Sequence, residues 1–369
     1  MAVNTILLDF SIQSNKIEVG GRQSLMESVQ NVLSKFLPGL KFSHTTEFNS
    51  GGFLTVLTAV RDCFVTVRAF PQGLFSINIE YYKEDSDEQL LTLESVRHLE
   101  NELTRQIGSK KSHKYPAFKR GLKADRYFLT SDDRILEYDI DAVLFEERSK
   151  YQKVQIVHSK SLGNLLVLDE LQNLSERDLI YTETLMQRGK ESYKDKEIII
   201  LGGGDGALLY ELLKEKPKFV HMFELDDVVL RACREHLRGC CGDCLDKMEG
   251  ENYKITVDDC VKSLDKFINE GKKVDYVFGD LTDIPVSPTP HGEIWDFIRL
   301  ILNKSVQVLK PTGKYMTHGN GASSPASLKM FEEQLNNLSI PVEFKTEQAF
   351  IPSFLEDWVF YQIQMKCRN

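Results

Sequence analysis

The run Gly202-Gly203-Gly204-Asp205-Gly206-Ala207 sets four glycines around one carboxylate, between an apolar stretch at 197–201 and a helix-forming one at 207–215. Glycines at such a turn let the backbone approach a ligand closely, and the spacing satisfies G-x-G-x-x-A, a dinucleotide pattern. Glu224 closes the next strand-like run, 219–223, where an acid can hold a ribose diol. By pattern alone, nicotinamide-type and adenosyl-sulfonium-type ligands both remain open. Asp205 separates them, because a carboxylate in the loop repels a pyrophosphate and attracts a donor that carries a sulfonium and a free ammonium. It also sits poorly with S-adenosylmethionine, whose own carboxylate would face it.

Further acids stand at the other strand ends. Asp258 and Asp259, followed by Cys260, come after the run 254–257, and Asp280 closes Val274-Asp275-Tyr276-Val277-Phe278-Gly279. Asp258 and Asp259 can also be read as caps of the helix that begins near Val261. For Asp280 capping is the weaker reading, since Leu281-Thr282-Asp283-Ile284-Pro285 looks like a loop rather than a helix start. Carboxylates converging on one crevice imply a polycation or a metal; with no histidine at ligand spacing among them, a polycation is expected and no metal.

The elements needed to position these residues alternate strictly after Lys190: strand, glycine loop, helix, strand, helix, then further strands at 254–257, 274–278 and 314–317. That order predicts a doubly wound, mostly parallel sheet with its ligand at the carboxyl ends of the strands. Upstream, the stretch from Arg134 to about Leu171 reads as a small antiparallel β unit. Before it, a helix at 23–37, strands at 53–60, 63–70 and 74–82, and a helix at 87–107 describe a small α+β domain without catalytic residues. The basic stretch Lys110, Lys111, His113, Lys114, Lys119, Arg120, Lys123 reads as a solvated interdomain linker rather than a phosphate-binding patch. Three parts follow: 1–115, 116–190 and 191–369.

The 369 residues carry a net charge of −9 and are 41% hydrophobic and 27% charged, the profile of a folded globular chain with no bias toward nucleic acid. No apolar run approaches a membrane span, and the first residues lack a signal-peptide pattern, so a cytoplasmic address is expected. Seven cysteines in irregular spacing are expected to be free thiols. The group Cys233, Cys240, Cys241 and Cys244 with His236 has one ligand-like spacing but no second pair to complete a zinc site.

In this order, Gly202-Gly203-Gly204-Asp205-Gly206, Glu224-Leu225-Asp226, Asp259-Cys260 and Asp280-Leu281-Thr282 resemble the aminopropyltransferases of the spermidine/spermine synthase family. Leu136-Glu137-Tyr138-Asp139-Ile140-Asp141, Tyr151-Gln152, His158-Ser159-Lys160, Leu179-Ile180-Tyr181-Thr182 and Pro352-Ser353-Phe354-Leu355-Glu356 are similar to the spermine-forming branch, and the likeness runs from about Ala124 to the end. The resemblance implies a C-terminal Rossmann-like (class I methyltransferase-like) α/β domain, preceded by a small antiparallel β unit and an N-terminal α+β domain. That N-terminal domain would resemble S-adenosylmethionine decarboxylase and make a homodimer.

The implied reaction moves an aminopropyl group from decarboxylated S-adenosylmethionine, a co-substrate, to spermidine, with no cofactor, metal, nucleic acid or membrane. Asp280 would be the general base. Gln152, Gly202, Gly203, Gly204, Glu224, Leu225, Asp259 and Cys260 would bind the donor, and Tyr181, Asp205, Glu356 and Phe354 the polyamine. Trp295 and Trp358 are read either as lying along its methylenes or as core residues. Phe354 stands where the branch commonly has tyrosine, and Asp283 lies nearer the acidic loop of the spermidine-forming enzymes. Spermidine or thermospermine synthesis and S-adenosylmethionine-dependent methyl transfer are therefore the alternative activities, with an inactive polyamine-binding scaffold and a nicotinamide dehydrogenase further removed.

Overall fold

The computed structural model describes residues 2–84, 87–281 and 293–366. It divides into two compact units, Met1–Asp125 and Arg126–Asn369.

In the first unit an antiparallel sheet runs in the order Lys41–Glu47, Phe53–Ala59, Cys63–Ala69, Leu74–Lys83, Ala2–Ser11. The far edge of Ala2–Ser11 is taken by Lys111–Lys114 and Phe118–Arg120. Alternation along the strands turns Leu8, Phe10, Val65, Val67, Ile77 and Ile79 to one face, where the helices Val19–Phe36 and Leu93–Ile107 cover them with Leu25, Val29, Leu33, Leu99 and Leu103. Thr92 sets the start of the second helix, later than the spacing suggests, because its side chain accepts a hydrogen bond from the Ser95 amide. The basic stretch is corrected here. It is not a linker; it supplies two short edge strands, and Arg120 pairs with Glu80 at 3.1 Å. Lysines and an arginine on an edge strand oppose pairing with another chain.

The second unit begins with the hairpin Tyr127–Leu129 and Ile135–Glu137 and a four-stranded antiparallel sheet, Ile140–Arg148, Lys153–Ser159, Gly163–Leu168, Leu171–Ser175. By packing, the units divide at 125/126, and the small β sheet is compact with the C-terminal sheet. Val154, Ile156 and Leu166 share one core with Val229 and Ala232 of the helix Asp227–His236, which explains why the two do not separate.

The main sheet runs Tyr253–Val257, Phe219–Glu224, Glu197–Gly202, Val274–Asp280, Leu309–Gly321, Glu356–Met365, Val342–Ile351. The first five strands are parallel; Glu356–Met365 runs against them and pairs antiparallel with Leu309–Gly321 on one side and Val342–Ile351 on the other. Along Glu197–Gly202, Ile198 and Ile200 enter the core formed with Leu208, Leu212 and Val229, while Ile199 and Leu201 enter the opposite one, formed with Leu264, Ile301 and Leu302. A strand buried on both faces is an unbroken apolar run, and this one is. Strand order reverses between Glu197–Gly202 and Val274–Asp280, where open α/β sheets leave a crevice at the carboxyl ends.

Candidate active site

The glycine loop is built by steric demand. Gly202 is paired with Asp280 on the adjacent strand and has φ of 79°, and a Cβ added to it would overlap the Asp280 carbonyl oxygen. A Cβ on Gly204 would lie 2.7 Å from Glu224 Oε2. Only glycine leaves room for these two acids to converge on the loop.

A cavity of about 430 Å³ opens at this point. It is lined by the carboxylates Asp169, Asp205, Glu224, Asp226, Asp259 and Asp280, and among the described lining residues there is no lysine or arginine. Gln152, Gly202, Gly203, Gly204, Leu225, Cys260, Tyr181 and Phe354 complete much of the wall, so the expected donor residues and three of the four expected polyamine residues meet in one place.

Each acid is held by backbone or side-chain donors. Asp205 Oδ1 accepts the Ala207 amide at 2.8 Å, and Glu224 Oε1 accepts the Asp226 amide at 2.8 Å. Asp226 caps the helix Asp227–His236 through the Val228 amide, and its Oδ2 accepts from Ser149 Oγ at 2.6 Å and Gln152 Nε2 at 3.1 Å. Asp259 caps Cys260–Asn269 through the Val261 amide at 2.9 Å and also lines the cavity. The exposed Asp258 accepts the Asp259 amide at 2.8 Å and does not line the cavity. The Tyr181 hydroxyl donates to Asp280 Oδ1 at 3.2 Å, and its ring meets Phe354 edge-on at 6.2 Å.

Crowding so many carboxylates together changes their acidity. Burial, reinforced by the nearby charges of Asp280 and Glu224, lifts Asp205 well above the usual carboxylate range. Burial, with a smaller contribution from Asp226, pushes Glu224 up to about 7. A site of this kind disfavours its own charges, and a cationic ligand would relieve them.

Glu356 is not brought to the cavity. Its carboxylate accepts the Ser131 amide at 3.1 Å, Ser131 Oγ at 2.9 Å and Ser323 Oγ at 2.8 Å, so it joins the turn after Tyr127–Leu129 to the end of the main sheet. Trp295 and Trp358 are core residues, 2% and 5% exposed, and neither lines the cavity. Asp283 and Thr282 lie outside the described residues. The six described cysteines are free, and among the described residues no cluster of three or more His, Cys, Asp or Glu is arranged to hold a metal ion.

Sequence reasoning singled out neither Asp169 nor His318, and it read Asp226 only as part of a motif. Asp169 and Glu170 form a turn with positive φ, which marks the position but not its direction. Asp226, two residues after Glu224 and just before a helix, carried the signal of a cap. His318 lies one residue beyond the run read as the last parallel strand.

A Rossmann-like sheet with a glycine loop and an acid-lined crevice at its switch point makes a site suited to a cationic, nucleoside-bearing ligand. The family model described as the spermine/spermidine synthase domain matches residues 178–369, and a second, described as the spermidine synthase tetramerisation domain, matches 127–176. The chain belongs to the spermine/spermidine synthase family of aminopropyltransferases. A polyamine aminopropyltransferase from Aeropyrum pernix is 29% identical over 63% of this chain and 72% of its own length. The thermospermine synthase of Arabidopsis thaliana is 28% identical over 62% of this chain and 66% of its own. In Yersinia pestis a polyamine aminopropyltransferase is 31% identical over 41% of this chain and half of its own. The fold is shared with spermidine synthase from Thermotoga maritima, at a TM-score of 0.52 and 18% identity over 66% of this chain and 79% of that one. A spermidine synthase solved with a transition-state analogue gives a TM-score of 0.53 at 20% identity, over 66% of this chain and 80% of that one.

Proposed function

We propose that this protein transfers the aminopropyl group of decarboxylated S-adenosylmethionine to spermidine, forming spermine and 5'-methylthioadenosine. The observation that carries this reading is the cavity wall: six carboxylates, Asp169, Asp205, Glu224, Asp226, Asp259 and Asp280, with no lysine or arginine among the described lining residues. A pyrophosphate or the carboxylate of intact S-adenosylmethionine would meet repulsion there; a sulfonium with a free ammonium and a polyamine would not.

The chemistry needs little beyond placement and one base. The sulfonium makes the adjacent methylene of the aminopropyl arm electrophilic. A neutral amine nitrogen attacks it in line, the new C–N bond forms as the C–S bond breaks, and the electron pair leaves on sulfur as the neutral thioether. Asp280, on the strand beside the glycine loop, takes the amine proton, and the Tyr181 hydroxyl orients it at 3.2 Å. Glu224 holds the ribose hydroxyls, Gln152, Leu225, Asp259 and Cys260 the nucleoside, and Asp205 and Tyr181 the polyamine. Phe354 gives that end an apolar wall, buried against Trp358 with ring centres 4.6 Å apart.

A second reading differs in the acceptor or product alone. The displacement of Glu356 from the cavity and the apolar Phe354 favour weaker control over the far end of the amine, which suits thermospermine or spermidine synthesis. Chromatography of products from the decarboxylated donor with putrescine and with spermidine decides: spermine from spermidine is expected, and thermospermine, or spermidine from putrescine as main product, would replace this reading. We further propose a cytoplasmic homodimer made through residues 1–115. Light scattering of the full chain tests its size, and a monomer or tetramer would refute it.

A further inference from the structure

We propose that His318 and Thr317 are positioning residues that hold Asp280 for proton abstraction by clamping the backbone on either side of it; this rests on the reading of Asp280 as the base. The strands Val274–Asp280 and Leu309–Gly321 run in parallel register only as far as Gly279 opposite Thr317. On that side Asp280 lies beyond the last paired residue and keeps only its pairing with Gly202 on the other, so this edge of the strand end is otherwise free to fray. Side chains take over from the ladder at this point. Thr317 Oγ1 donates to the Gly279 carbonyl at 2.7 Å, and His318 Nε2 reaches the Leu281 carbonyl at 3.1 Å. The carbonyl of Asp280 itself accepts the Gly203 amide at 3.1 Å. Three consecutive carbonyls, of Gly279, Asp280 and Leu281, are each held, and two of the three donors are adjacent side chains of one strand.

Both side chains are placed for this work. Thr317 is 7% and His318 5% exposed; the bond to Gly279 is shielded from competing water, and the bond to Leu281 is part-buried at the cavity wall. Both ring nitrogens face carbonyls at 3.1 Å, Nε2 that of Leu281 and Nδ1 that of Gly319; a neutral imidazole donates to only one of them, and the clamp is the tautomer with the hydrogen on Nε2. The ring also stands 6.0 Å from that of Tyr181, whose hydroxyl donates to the Asp280 carboxylate. The clamp thus fixes the peptide of Asp280, and Tyr181 its carboxylate. A shift of a base by about 1 Å can cost about 10²-fold in rate, so loss of the clamp belongs in turnover rather than in donor affinity.

The test uses the full chain with decarboxylated S-adenosylmethionine and spermidine, following methylthioadenosine release, with direct methylthioadenosine binding as a check on the folded donor site. Wild type must first turn over; no methylthioadenosine from any amine would refute the function proposed above, and this inference with it. With wild type active, His318→Leu is expected to lower kcat by about 10²-fold, with amine KM and methylthioadenosine affinity within about threefold of wild type. Thr317→Val is expected to act in the same direction. His318→Gln, whose amide can donate to the Leu281 carbonyl, is expected to recover most of the rate. If His318→Leu fails to bind methylthioadenosine, His318→Asn, polar but too short to reach Leu281, is measured in its place and should lose the same rate. Unchanged kcat in the folded variants would overturn the inference, and so would a rise in amine KM alone, which would make His318 a substrate contact.

Discussion

Gly202 and Asp280 are register partners across the two strands at which the sheet order reverses, and the Asp280 carbonyl occupies the space where any other residue at 202 would place its Cβ. The approach of the loop to the proposed base is therefore set by a missing side chain. Gly202→Ala is expected to displace the Asp280 peptide and strain a φ of 79°. Turnover should fall by at least about 10²-fold with donor affinity also reduced, read by steady-state kinetics and methylthioadenosine binding.

Asp280→Asn keeps shape and removes the base. The expected loss is roughly 10²–10⁴-fold in kcat, the range for a positioned general base, with a smaller change in donor affinity. Collapsed donor binding with near wild-type turnover at saturation would make Asp280 a binding residue instead.

Much of this site was legible in the sequence because strand ends in a parallel sheet carry ligand residues, and a buried parallel strand declares itself as an apolar run. Ile198 to Leu201 locate the loop, and the loop locates Asp205, Glu224 and Asp280. Long-range relationships were not legible. Ile6-Leu7-Leu8 blurs the alternation of Ala2–Ser11, so this strand, next to the edge of the first unit's sheet, left no period-two signal. All seven residues of Lys41–Glu47 are exposed, so only its pairing with Phe53–Ala59 defines it. Glu356 follows the motif closely in sequence, but one of the serines that meet it, Ser131, lies on a turn more than two hundred residues away in the chain.

Glu224→Gln should weaken the donor first. The cavity places Glu224 beside Gly204, where a ribose diol would lose one acceptor, so methylthioadenosine affinity should fall by about tenfold or more while kcat at saturation changes less. Equal losses in kcat and kcat/KM would assign it to the transition state.

The acidity of the site gives a pH dependence with a defined sign. Glu224, pushed up to about 7, and Asp205, also raised, return to the ordinary range near ~4 on unfolding. The empty protein thus bears a penalty that is absent at pH below ~4 and fully present once pH exceeds the folded values. Asp205→Asn, which keeps the acceptor for the Ala207 amide, should raise the melting temperature of the empty protein near pH ~8 and leave it unchanged near pH ~4. A lower melting temperature at the higher pH would contradict the raised value.

The same acids predict proton release when cations bind. Spermidine binding near pH ~7 should tighten as pH rises and should expel protons, so calorimetric heats should vary with the ionisation enthalpy of the buffer in the sense of release. Proton uptake, or heats independent of buffer, would show that the carboxylates are already ionised in the empty site.

The central claim is that a carboxylate-lined cavity selects a donor without a carboxylate. The direct test is the ratio of kcat/KM for decarboxylated S-adenosylmethionine to that for intact S-adenosylmethionine, measured on the same preparation with spermidine as acceptor and both products identified by mass. A ratio of about 10² or more, with methylthioadenosine and an aminopropylated amine formed in equal amounts, is the expected result. A methylated amine with S-adenosylhomocysteine from the intact donor, at equal or greater efficiency, would contradict it.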